Sequence, residues 1–342
     1  MVIKLVGNRR LGGSKGERKK AFEKNGGVLL EKLVAYCDGR PIPIRGFSYE
    51  ELRRATNNYD QGCVLQVSQW YTWYKGSLDG RIVSIKKYAE DSTFSDFSFT
   101  DIAMSAKTSS HKNVLRLVGC CLETQLPTLV FEFAGNGFLS ERVYQCNIHG
   151  YPREHPPMAW QIRLKIAREI AHAISYIHTA FSRPIIHRDI KPGNIFLDQH
   201  NVPKLADFSL SIPIPEGETH IEDKVHGSYG FLCPNYLATG RATEKTDVYS
   251  FGMLLLVLST GQRSYVPQAT THEDSLVNYI RKCTISEIVD PAILAEEGGA
   301  GVEQQLQAVR ELVLRCMDEN PEMRPTMVDV TKELRRIERF MP

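Results

Sequence analysis

Ile186-His187-Arg188-Asp189-Ile190-Lys191-Pro192-Gly193-Asn194-Ile195-Phe196-Leu197 is the stretch on which the reading of this chain turns. It places an acid, a lysine two residues on and an asparagine three beyond that in one polar loop flanked by apolar residues. Thirteen residues after Asn194 stands a second acid, in Asp207-Phe208-Ser209. Upstream, Ile162, Ile166, Ile170, Ile174 and Ile177 recur at i+4 or i+3 and predict a long helix with one apolar stripe leading into the loop. Earlier still, Val64 to Tyr88 alternates with period two, and Leu78-Asp79-Gly80 reads as the turn between two strand-like runs. Val114–Val118 and Thr128–Phe133 predict two more short strands, and Val248–Leu258 and Val309–Met317 further helices. Strands first and helices after predict a two-lobed α+β architecture.

These motifs carry a resemblance. Ile186–Leu197 resembles the H-R-D-x-K-x-x-N catalytic loop of protein kinases, and Asp207-Phe208-Ser209 their D-F-G. Val83-Ser84-Ile85-Lys86 looks like V-A-I-K, Cys233-Pro234-Asn235 stands where A-P-E stands, Asp247–Gly252 matches the start of the large C-lobe helix, and Arg324-Pro325 closes the series. The implied fold is the protein kinase fold, with a β-rich N-lobe over 46–134 and a helical C-lobe over 135–342, preceded by a basic, juxtamembrane-like extension over 1–45. Within the extension, residues 1–20 read as flexible, Ala21–Ala35 as a short helix broken near Gly26-Gly27, and Asp38–Pro43 as a linker. Ser48 with Glu51 reads as a capping box opening the next helix.

Finer features narrow the resemblance. FEKNGGVLLEKLVAYCDG (22–39), FSYEELRRATNNYD (47–60), HKNVLRLVGCCLET (111–124) and LVFEFAGNGFL (129–139) resemble plant wall-associated-type receptor-like kinases. SQWYTWYKG (68–76) and RDIKPGNIFLD (188–198), with the eroded motifs below, make the chain most similar to the ZED-related kinases, receptor-like cytoplasmic kinases that act as pseudokinase adaptors. The resemblance implies two partners: the leucine-rich-repeat domain of a coiled-coil NLR immune receptor, and receptor-like cytoplasmic kinases modified by effectors. It implies a cytoplasmic place; separately, the excess positive charge of residues 1–40 offers either weak contact with phosphoinositides at the inner face of the plasma membrane or simply a solvated tail.

The same resemblance assigns roles residue by residue. Asp189 matches the catalytic base and Lys191 the residue that neutralises the γ-phosphate, while Lys86, Asn194 and Asp207 match the positions that hold ATP and Mg²⁺. Around them the pattern is broken. Gln66, Ser68 and Tyr71 stand where the G-x-G-x-x-G glycines would let backbone N–H groups approach phosphate without a Cβ in the way. Trp73 replaces the small residue over the adenine and Ser84 the usual alanine, with Phe196 in the floor, so Trp73 is expected to turn inward and fill the slot, the alternative being that it turns outward toward a partner. Counting back from His111 puts Ile102 where helix C should carry a glutamate, with Asp101 one residue earlier and one methylene short, which predicts a Lys86 without a bonded partner. Ser209 replaces the D-F-G glycine, and Asn235 the glutamate that pairs with the arginine matching Arg324. The expected function is therefore a pseudokinase adaptor with no cofactor and no metal. The alternative is a serine/threonine kinase of low activity using Mg-ATP. SIPIPEGETHIEDK (211–224), with Pro213, Pro215, Gly217 and four acids, is expected to find few anchors and to act as a docking loop for a second kinase-like partner.

Composition sets the outer limits. In 342 residues, 42% hydrophobic and 24% charged, the longest strictly apolar run is Met253–Leu258, far short of the ~20 residues of a bilayer span. Lys4, Asn8, Arg9 and Arg10 break the apolar start, so no signal peptide is expected, and no Gly follows Met1 for myristoylation. Eight cysteines without secretory context read as free thiols. Cys120, Cys121, His111, His149, His155 and His220 show no metal-ligand spacing. The net charge of +2 conceals ten Lys/Arg against four Asp/Glu in residues 1–40. That arm lacks aromatic interleaving, so nucleic acid is not expected as a partner.

Overall fold

The computed structural model describes residues 13–37, 44–89, 95–146, 155–264, 280, 284–297 and 300–340. The chain divides into two compact units, one over residues 1–109 and 116–133, the other over 110–115 and 134–342. The linker expected at Asp38–Pro43, His149 and the first twelve residues lie outside the described residues.

The first unit runs α1 (Lys15–Tyr36), β1 (Arg45–Gly46), α2 (Tyr49–Ala55), β2 (Val64–Val67), β3 (Tyr71–Leu78), β4 (Arg81–Tyr88), α3 (Ser95–Thr108), β5 (Leu117–Cys121) and β6 (Thr128–Glu132). Its sheet has the order β1-β5-β6-β4-β3-β2, antiparallel except for β1 beside β5. Asp79 and Gly80 both take positive φ, 50° and 73°, which lets a two-residue turn follow the strand twist. The turn fixes the register and sets Trp73 opposite Lys86 and Tyr71 opposite Tyr88. Ser48 caps α2 with Glu51, as the sequence indicates. Leu52 and Tyr49 of α2 then join Phe47, Tyr59, Val83, Ile85, Cys121 and Val130 in one buried cluster. At Gly119 a Cβ would meet the Arg45 carbonyl oxygen at 2.2 Å, so only glycine lets β1 approach β5.

Two expectations need correction here. The strand predicted over Val114–Val118 begins three residues later, because Val114 and Leu115 belong to the second unit, where the Leu115 amide donates to Leu205. The predicted helix break at Gly26-Gly27 is absent, and the helix starts at Lys15 rather than Ala21, under a capping box of Ser14 and Glu17. Two interior glycines cost about 1 kcal/mol each, which tertiary contacts offset. The buried Asn25 amide donates to the carbonyls of Leu122 and Thr124 (2.9 and 2.8 Å), Leu29 is buried, and Lys32 Nζ lies 2.6 Å from Asp96 on α3.

In the second unit, α4 (Leu139–Val143) and α5 (Trp160–Thr179) precede β7 (Ile185–Ile186), β8 (Ile195–Leu197), β9 (Pro203–Leu205), β10 (Ile212–Pro213) and β11 (Ile221–Glu222). Then follow α6 (Pro234–Thr239), β12 (Arg241–Ala242), α7 (Glu244–Thr260), α8 (Ile285–Ile288), α9 (Pro291–Glu297), α10 (Ala300–Cys316) and α11 (Met327–Glu338). The isoleucine stripe behaves as its period predicts: Ile166, Ile170, Ile174 and Ile177 are wholly buried on α5. Helix α7 is buried along nearly its whole length, and α10 and α11 pack on α7 and α5. Trp160 Nε1 donates to Gln305 Oε1 (2.9 Å), and Arg163 is paired with Asp290 (2.7 Å), both in the interior.

Candidate functional site: two sets of kinase-like residues

In the first unit the sheet builds an aromatic enclosure around Lys86. Tyr71 and Trp73 are two residues apart on β3, Lys86 and Tyr88 two apart on β4, so the pleat puts all four side chains on one face. Lys86 is 0% exposed. Its Nζ lies 4.1 Å from the Tyr71 ring centroid, 4.9 Å from Tyr88 and 5.7 Å from Trp73. Contrary to the unbonded lysine expected, Asp101 Oδ2 accepts from Nζ at 2.7 Å. The short carboxylate reaches because it sits one residue before the buried Ile102, and Tyr88 Oη (2.9 Å) and Ser105 Oγ (3.1 Å) donate to the same group. A cation held against three ring faces and one carboxylate, out of water, has its charge satisfied locally. Trp73 turns inward, 1% exposed, with its ring 5.3 Å from that of Phe131.

The segment in the position of the glycine loop is a closed hairpin. Gln66 pairs with Trp73 across β2 and β3, and the Ser68 amide donates to the Tyr71 carbonyl at 2.9 Å. None of Gln66, Ser68 and Tyr71 has a positive φ. Tyr71, at the third glycine position, is the ring nearest the Lys86 ammonium.

The second unit assembles the catalytic-loop residues. Asp189 Oδ2 accepts from Asn194 Nδ2 (2.7 Å) and Lys191 Nζ (2.8 Å), while Asp189 Oδ1 is buried and accepts no hydrogen bond. Lys191 also donates to Ser228 Oγ. Asp207 has φ 63° and accepts from Ser209 Oγ at 2.6 Å. Arg188 has φ 68°, another strained position of the kind that clusters at functional sites. Phe196 is buried against Phe138, ring centroids 4.1 Å apart.

The protein kinase domain model matches residues 71–334. The chain is 40% identical over 334 residues to serine/threonine-protein kinase ZRK1 of Arabidopsis thaliana, covering 95% of this chain and 94% of that protein. It is 40% identical over 328 residues to the non-functional pseudokinase ZED1 of the same plant, covering 93% and 96%. Wall-associated receptor kinase-like 1, also from Arabidopsis thaliana, is 35% identical over 343 residues, 98% of this chain but 45% of that longer protein. This chain belongs to the ZED-related kinases of the protein kinase family.

In this ZED-related kinase the activation segment, expected to find few anchors, is tied down on either side of the exposed stretch 215–219. Ile212 and Pro213 pair with Ile186 and Ile185, Ile214 is buried, and Ile221 and Glu222 pair with Ala242 and Arg241. Arg188 Nη1 meets Asp223 Oδ2 at 2.7 Å. Burial alone would raise the Asp223 pKa; the hydrogen bonds from Arg188 and the Lys224 amide outweigh it and hold the group below its ordinary value. The sequence signal for these anchors was the Ile212/Ile214 alternation, interrupted by prolines that sit where an edge strand tolerates them. Arg324, deprived of the glutamate by Asn235, is 2% exposed and donates to neutral acceptors: Asp318 O (2.8 Å), Cys233 Sγ (3.0 Å), Lys245 O (3.2 Å) and Asn235 Oδ1. Asp247 orders the catalytic loop, accepting from the amides of His187 (2.8 Å) and Arg188 (2.9 Å) and from His178 (2.9 Å). Burial would raise its pKa, but these donors reverse the sign and keep it a carboxylate. No described helix is long and apolar enough to cross a membrane.

Proposed function

We propose that this ZED-related kinase is a pseudokinase adaptor, with little or no phosphoryl transfer, acting in plant innate immunity between an NLR receptor and effector-modified receptor-like cytoplasmic kinases. The observation that carries the reading is the Lys86 ammonium, out of solvent between Asp101 and three aromatic rings. Asp101 takes one of the ammonium's three donors and aromatic rings crowd the rest of its surroundings, with Tyr71 the nearest, so a phosphate would have to displace Tyr71 to reach it. Mg-ATP does not fit this half of the residue set, although Asp189, Asn194 and Asp207 in the second unit keep the donor chemistry that Mg²⁺ takes. Those three residues support the second reading, a kinase of low activity, as does the name of the relative ZRK1; the name of ZED1 supports the first. The immune partners rest on the family resemblance. The test is Asp189→Asn: an adaptor keeps partner binding and immune signalling, since no proton is transferred to Asp189. A variant that folds and binds its partners but no longer signals supports the kinase instead.

A further inference from the structure

Helix α1 has two apolar sides, and its own unit covers only one of them. The inner side is fixed to α3 and to the turn between β5 and β6 through Asn25, Leu29 and Lys32. The outer side carries Phe22, Leu30 and Val34, which are 52, 63 and 57% exposed. They follow the i+4 row that passes through Gly26, so they line up along one strip of the helix. Large apolar groups scattered singly need no explanation, but three in register on one helix do. The N-terminal turns add exposed Lys15, Lys19, Lys20 and Lys24. The acids on the helix are Glu17, tied into the cap, Glu23 beside Lys19, and Glu31. Ahead of Glu17 the sequence has Lys4, Arg9, Arg10 and Lys15 and no acid at all.

An aromatic and two aliphatic side chains in a row, entered through a cluster of lysines, match the boundary layer of an anionic bilayer. Apolar groups settle between headgroups and acyl chains while lysines meet the lipid phosphates and carboxylates. We propose that the outer face of α1 docks this protein on an anionic membrane surface. Three apolar side chains give a reversible contact, and the rigid fixing of the inner face to α3 means that docking orders no new segment. This inference stands apart from the question of phosphoryl transfer.

The test is cosedimentation of the full chain with phosphatidylcholine vesicles, with and without phosphatidylserine, at low and high salt. Binding should require phosphatidylserine and be lost at high salt. Each lysine near such a surface counts for about fivefold in partitioning, so Lys19→Gln with Lys20→Gln should weaken binding roughly 25-fold. Phe22→Ser with Leu30→Ser should weaken it about tenfold, with an unchanged melting temperature because both side chains are exposed. Equal binding to vesicles without phosphatidylserine, or variants that sediment like the wild type, would overturn the proposal. So would a wild-type protein that ignores vesicles and instead forms dimers on size exclusion that the Phe22/Leu30 variant abolishes, which would make this face a self-association surface.

Discussion

Replacing the lysine of the V-A-I-K motif is the customary way to silence a kinase, and here Lys86→Met should do more than silence. The wild-type pair is wholly buried, with Nζ 2.7 Å from Asp101 Oδ2 and both side chains 0% exposed. Removing the cation leaves Asp101 charged in the interior, with only Tyr88 and Ser105 among the neighbours described above still donating to it. Breaking one side of a buried pair costs about 3–5 kcal/mol, and loss of the cation–π contacts adds about 1 kcal/mol. Converted at about 2–4 °C per kcal/mol, the melting temperature should fall by roughly 10–20 °C. Lys86→Met combined with Asp101→Leu removes both charges and should recover most of that loss, so the two substitutions are strongly coupled. Urea denaturation of the wild type, the two single variants and the double variant closes the cycle. If Lys86→Met costs under about 1 kcal/mol, against the 3–5 expected of a buried pair, or if the single costs simply add, then Lys86 is not held as described.

Two further outcomes follow from other groups. Asn235→Ala removes a carbonyl acceptor from the buried Arg324, which should destabilise the second unit by about 1–3 kcal/mol in urea denaturation; no change would mean that Cys233, Asp318 and Lys245 suffice alone. His111, beside His172 (3.1 Å), has its pKa pushed down from 6.5 to about 4, chiefly by burial, with His172 and Lys112 adding to it. A depressed folded-state value means that its contribution is full above pH 6.5 and is lost as the pH falls toward 4. His111 is half-buried, and solvent screening discounts the effect to the order of 1 kcal/mol; the melting temperature should drop less between pH 7 and 5 in His111→Gln than in the wild type, and parallel curves would refute the assignment.

Much of the fold could be read from period and turn chemistry. The isoleucines of α5, the capping box of α2 and the Asp79-Gly80 turn each act locally, so sequence spacing is enough to reveal them. Even the enclosure of Lys86 was partly legible: once the turn fixes Trp73 against Lys86, the pleat brings Tyr71 and Tyr88 to the same face. Its Asp101 partner was not legible, because α3 reaches the sheet through tertiary packing and a one-residue offset decides which side chain faces β4. The unbroken α1 was hidden for the same reason: Gly26 and Gly27 argue against a helix locally, and only the carbonyls of Leu122 and Thr124, almost a hundred residues away, reveal what Asn25 holds. The activation segment was misjudged because its anchors, the pairing of Ile212 and Pro213 with β7 and the Arg188–Asp223 ion pair, join residues far apart in the chain that no local pattern connects.

The central claim is that the Lys86 enclosure leaves no place for nucleotide. It is tested most directly by the melting temperature of the full chain with and without millimolar Mg-ATP. A ligand at a hundred times its dissociation constant adds about 2.7 kcal/mol to stability, enough to move a melting curve by several degrees. The account predicts no shift for the wild type. A shift of several degrees that disappears in Asp207→Ala would show that the protein binds Mg-ATP, and would contradict it.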